Sequence, residues 1–138
     1  MYITGVQLEA GTTASPFEYR QYGTELALCQ RYYTQFGVTS AYEHYAIGVA
    51  QTGGVTCIMN LPVTMRAAPT FAVAGTVSTS YNIFDGSSQG SITAIAADVM
   101  SLNVCSSFVT ASGLTTGRAC RWYRTASALA TVSYTAEL

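Results

Sequence analysis

The chain has 138 residues, is 49% hydrophobic and 9% charged, and carries six arginines, no lysine and a formal net charge of −1. That length suits one domain with a real core. The lack of basic clusters excludes a nucleic-acid footprint, a polybasic membrane anchor and a lysine-dependent phosphate loop. Charged residues make up about 25% of an ordinary soluble domain, so this chain is expected to bury surface between subunits or within a large assembly.

The elements follow in chain order. Residues 2–20 read as a leader, opening with the alternating strand Ile3-Thr4-Gly5-Val6-Gln7-Leu8-Glu9. Gly11 to Pro16 is a turn or linker, and Phe17 to Arg20 a second extended piece. One helix is expected over Glu25–Gln30, with Thr24 as N-cap and Glu25 at its positive pole. Arg31 to Phe36 reads as a strand through its aromatic pair Tyr32-Tyr33. Tyr45–Val49, Val55–Leu61, Pro62–Arg66, Thr70–Val77, Leu102–Ala111 and Cys120–Tyr134 supply further strand sequence. Ile92–Met100 is alanine-rich and reads as strand or helix. Gly53-Gly54 and Asp85–Gly90 mark turns. The sum is an all-β fold, an antiparallel β-sandwich or jelly roll with one short N-terminal helix. The arm spans residues 1–22 and the sandwich domain 23–138.

No apolar run reaches the length of about 18 residues that a membrane span needs, and the N-terminus lacks a signal-peptide pattern. Cys29, Cys57, Cys105 and Cys120 form no CxxC or zinc spacing and read as reduced, packed thiols. That reading outweighs a Cys29–His44 nucleophile pair. His44 is the single histidine, and Glu43 beside it reads as an exposed polar neighbour. No metal, cofactor or catalytic residue is assigned. Asp85 and Asp98 suggest turn and strand-end roles before a glycosidase pair; Asp85 sits in an Asp-Gly turn sequence.

The aromatic residues carry more information. Ten tyrosines and Trp122 are many amphipathic rings for so few charges. Strand periodicity places Arg118, Cys120, Trp122 and Arg124 on one side, Arg121 and Tyr123 on the other. Trp122 is read first as core or subunit interface. Tyr42, Tyr45, Tyr81, Arg121, Trp122 and Tyr123 are the candidates for glycan or partner contact. Loops near Tyr42–Tyr45, Tyr81–Gln89 and Ser112–Gly117 are expected to reach outward.

Gly5-Val6-Gln7-Leu8-Glu9-Ala10-Gly11 and Ala14-Ser15-Pro16-Phe17-Glu18 resemble the closing strand of a carbohydrate-binding-type jelly roll in bacteriophage fibres. Gly23 to Tyr33, with its string Cys29-Gln30-Arg31-Tyr32-Tyr33, resembles the start of the C-terminal domain of phage tail-fibre and receptor-binding virion proteins. Pro62 to Thr70 and Tyr134 to Leu138 are similar to that domain's internal motif and ending. Only the last strand of the upstream module is present, so a fragment or a small free-standing protein is expected. The resemblance implies a non-enzymatic homotrimer in the virion, made in the host bacterial cytoplasm among other virion proteins. Leu26, Leu28, Cys29, Tyr32 and Tyr33 would then lie at the trimer interface. A fibre tip would contact a host surface glycan. The alternative is a capsid-decorating protein, whose partner is the major capsid protein.

Overall fold

The computed structural model describes residues 10–13, 16, 19–37, 41–126 and 130–137. The expected leader strand at 3–9 and positions 14–15 and 17–18 lie outside the described residues. The first element is helix α1, Tyr22–Gln30, formed where Leu26, Ala27 and Leu28 supply helix propensity. It begins earlier than expected, because Gln21 rather than Thr24 is its N-cap. The Gln21 carbonyl accepts from the N–H groups of Thr24 at 3.0 Å and Glu25 at 3.1 Å, which places Thr24 inside the first turn. None of the helix residues is buried.

The strands form two bodies. β1 (Tyr33–Phe36), β4 (Thr70–Ala74) and β9 (Thr131–Thr135) make a three-stranded antiparallel sheet with β9 in the middle. The other six are β2 (His44–Gln51), β3 (Gly54–Asn60), β5 (Tyr81–Phe84), β6 (Gln89–Met100), β7 (Val104–Ser112) and β8 (Ala119–Arg124). They close into a barrel in the order β2-β3-β7-β6-β5-β8. The chain is therefore mostly β, as its alternation indicates, in the form of a closed barrel beside an open sheet. Closure pairs every barrel strand on both sides.

Several boundaries depart from the sequence reading, each for a local reason. Pro62–Arg66 is irregular rather than strand; Pro62 has no N–H to donate, and Met65 is instead tied by its N–H to the Leu102 carbonyl at 2.7 Å. The strand from Thr70 stops at Ala74, because Gly75 takes φ 103° and a single helical turn, α2 (Val77–Ser80), follows. Ile92–Met100 is strand, since its backbone pairs with β7 from Ile92↔Ala111 to Met100↔Cys105. Cys120–Tyr134 is divided between β8 and β9.

The barrel interior holds Val55, Cys57 and Met59 of β3, Cys105 and Val109 of β7, and Cys120 and Trp122 of β8. Trp122 packs against Tyr45 and Tyr81, with ring centroids 5.1 and 5.9 Å away. Both tyrosine hydroxyls reach toward the segment that forms β9. Tyr45 Oη donates to the Ala130 carbonyl at 2.7 Å. Tyr81 Oη lies 2.5 Å from the Ala74 carbonyl and 2.7 Å from that of Thr131, with one proton to share between them. Buried Arg124 donates to the Gly37 carbonyl, and the Gly37 N–H donates to Glu43 Oε1 at 2.9 Å. Glu43 is thus a half-buried structural group, not the exposed neighbour expected. These bonds join barrel to sheet.

Candidate functional site

Three of the six candidate contact residues belong to the core. Tyr45, Tyr81 and Trp122 are 7%, 1% and 0% exposed and cannot reach a partner without opening the barrel. Tyr45 is misread for a definite reason. Simple alternation puts it on the face of Ile47 and Val49, but a bulge between His44 and Ala46 turns it inward. Tyr81 starts a buried strand rather than a loop, and Trp122 follows the core side of its alternation. Tyr42, Arg121 and Tyr123 do lie outside the core. Tyr42 is an exposed turn residue with φ 61°, an uncommon conformation for a residue with a bulky side chain.

Arg121 belongs to a continuous outer face. Cross-strand register sets Ile58 of β3, Ile47 of β2, Arg121 of β8 and Phe84 of β5 in one row. Ile47, Val49 and Ile58 are 73%, 54% and 52% exposed, an aliphatic patch on the outside of a barrel. The inner side of β2 carries the small residues Ala46, Gly48 and Ala50. They leave space for Trp122, and beyond the bulge the large residues Ile47 and Val49 face out. The Arg121 guanidinium lies 4.9 Å from the Phe84 ring and 5.8 Å from the Tyr123 ring. His44 also packs against Tyr123, with ring centroids 5.4 Å apart. Together with Asn60, Gly86, Ala119 and Cys120, these strands enclose a shallow depression of about 690 Å³. Sequence reasoning found Arg121 and Tyr123 but missed Ile47, Val49, Ile58 and Phe84. The available signal was an apolar β2 whose bulky and small residues alternate.

The expected interface residues form a second surface. Leu26, Leu28, Cys29, Tyr32 and Tyr33 are all exposed. Cys29 is thus a surface thiol, not the packed one expected, because no residue of α1 is buried in the single chain. Arg66 stacks over the Tyr32 ring at 5.3 Å. A groove of about 550 Å³ runs between α1 and the segment at Val63-Thr64.

The titratable groups are structural where they are perturbed. Asp85 accepts backbone N–H bonds from Ser87 (2.9 Å), Ser88 (2.6 Å) and Thr115 (2.9 Å). The bonds from Ser88, Thr115 and Ser87 hold its carboxyl well below the usual carboxylate range. Asp98 accepts from Ser106 Oγ at 2.9 Å near the opposite end of β6 from Asp85, so the two carboxylates do not meet. Burial pushes the Cys57 thiol up to about 12, consistent with packing rather than reactivity. Cys29, Cys57, Cys105 and Cys120 are all free thiols. Among the described residues, no cluster of His, Cys, Asp or Glu has the makings of a metal site, and no helix is long and apolar enough to cross a membrane. In comparisons with known proteins, no family model, no curated protein and no solved structure matches the chain.

Proposed function

We propose that this chain is a non-enzymatic virion protein of a bacteriophage, a homotrimeric jelly-roll-type domain that binds host surface glycan at a tail-fibre tip. The observation that carries the reading is α1. It is a nine-residue helix with no buried residue, and it displays Leu26, Leu28 and Cys29 to solvent. An isolated helix shorter than about 12 residues is marginal in water. Further copies of the chain supply the missing cover, and the low charge content suits a surface shared between subunits. The string Cys29-Gln30-Arg31-Tyr32-Tyr33, where the sequence resembles phage fibre domains, spans the end of α1 and the start of β1. With α1 committed to the trimer, the outer face of β2, β3, β5 and β8 is left for contact with the host.

Sedimentation and particle labelling test this reading. A trimer at micromolar concentration and label at the fibre tips are expected. A stable monomer overturns the assembly. Label on the heads alone overturns the fibre placement in favour of a capsid-decorating protein.

A further inference from the structure

We propose that the β3-β2-β8-β5 face binds a carboxylated saccharide and that Arg121 receives its carboxylate. This rests on the glycan-binding reading above and gives it a site and a sugar class. The depression of about 690 Å³ falls within the roughly 300–1,000 Å³ of small-molecule sites. Its lining includes Ile47, Val49 and Ile58, well-exposed aliphatic side chains that can cover the C–H face of a pyranose. The row from Ile58 to Phe84 crosses four strands, about 14 Å at the usual strand spacing, room for a short oligosaccharide.

Charge decides the sugar class. Among the described residues, no acidic side chain pairs with Arg121; its contacts are the Phe84 and Tyr123 rings. The neighbouring Asp85 is occupied by three backbone N–H groups on its own loops. A guanidinium stacked on aromatic rings keeps its in-plane N–H groups available to a ligand. Those groups fit a carboxylate through two parallel hydrogen bonds. One cation balances one monoanion. A phosphate site collects more donors, whereas the lining here lies on strands and the β5–β6 loop, with no helix N-terminus among it. The Asn60 amide adds a donor and an acceptor suited to a sugar hydroxyl.

The test uses the full chain and two matched pairs of probes, read by calorimetry and saturation-transfer NMR. One pair is sialyllactose and lactose. The other is a glucuronate-terminated oligosaccharide and its carboxyl-reduced form. At least one acidic probe is expected to bind about tenfold or more tightly than its neutral partner, as a charged hydrogen bond supplies. Arg121→Gln is expected to erase that difference, and Arg121→Lys to retain part of it, with melting temperatures confirming that both variants fold. Equal binding within both pairs, an acid preference that survives Arg121→Gln, or no binding of any probe overturns the proposal. Loss of self-association in Arg121→Gln also overturns it and assigns the face to a second copy. The two readings fail separately. A fibre-tip trimer with no acid preference loses the site alone; a monomer that binds acid sugar through Arg121 loses the trimer alone.

Discussion

Asp85 shows how one side chain links a turn to the pH dependence of the whole domain. Its oxygens tie the β5–β6 loop to Thr115 in the β7–β8 loop, and its anion is favoured in the folded chain. The resulting stabilisation is full above the free aspartate value of about 3.9 and is lost as pH falls below it toward the folded value. Asp85→Asn is expected to melt lower at neutral pH and to lose less on acidification than the parent. Thermal melts from neutral pH to about pH 2 check this, and parallel curves overturn it. The buried phenols act at the other end of the scale. Burial raises Tyr45 and Tyr81 above the free value and pushes Tyr134 up to about 12. Their stabilisation is full below about pH 10 and is lost as pH rises. In an ultraviolet phenolate titration, these three of the ten tyrosines are expected to ionise only as the β circular-dichroism signal collapses. Ionisation of all ten ahead of that collapse refutes the assignment. Asp85 was legible from its Asp-Gly context. Tyr45 was not, because the bulge that turns it inward depends on how β2 pairs with β8.

β2 shows why a strand can be located from sequence while its faces are assigned wrongly. Its residues are apolar at nearly every position, so alternation alone names no inside. Bulk is a poor guide here, since Trp122 and Met59 already fill the barrel. Ala46, Gly48 and Ala50 therefore line the interior, and Ile47 and Val49 form the outer face that makes up the candidate site. Gly48 sits in register between Cys57 and Cys120, and a Cβ there would collide with the Thr56 carbonyl and stand 2.9 Å from Val55 Cγ1. Gly48→Ala is expected to cost about 1–3 kcal/mol, because the β2–β3 ladder has to shift to admit one methyl group. Urea denaturation measures it. A loss within error of zero shows that β3 gives way freely and that the tight fit of β2 does not hold the face in place. The helix formers at 26–28 make α1 legible, whereas its start is not, because the Gln21 carbonyl draws Thr24 into the first turn.

At the scale of the whole molecule, the shortage of charge shows as apolar side chains left on the surface, on the outer face of β2 and β3 and around α1. The barrel and sheet bury their own core, yet α1 and the adjoining Tyr32 and Tyr33 leave large apolar side chains in water. Among the described residues, α1 gains the exposed Arg20–Glu25 ion pair at 3.0 Å, a kind of pair that contributes at most about 1 kcal/mol, and a hydrogen bond from Thr34 Oγ1 to the Gln30 carbonyl at 3.2 Å. Under the proposed trimer, its helical state in solution depends on association. Replacing Leu26 and Leu28 together by Asp tests this, because neither side chain supports the barrel. If the parent sediments as the proposed trimer, the double variant is expected to sediment as a monomer at the same concentrations, with at least tenfold weaker association, about 1.4 kcal/mol. Its helical circular-dichroism signal should fall, while the near-ultraviolet signature of Trp122 packed between Tyr45 and Tyr81 is retained. A variant that stays trimeric shows that the copies meet elsewhere. A variant that loses the Trp122 signature shows that α1 supports the barrel in ways its exposure does not indicate. The first result moves the subunit contact off α1, and the outer face of β2, β3, β5 and β8 becomes the next surface to test for it.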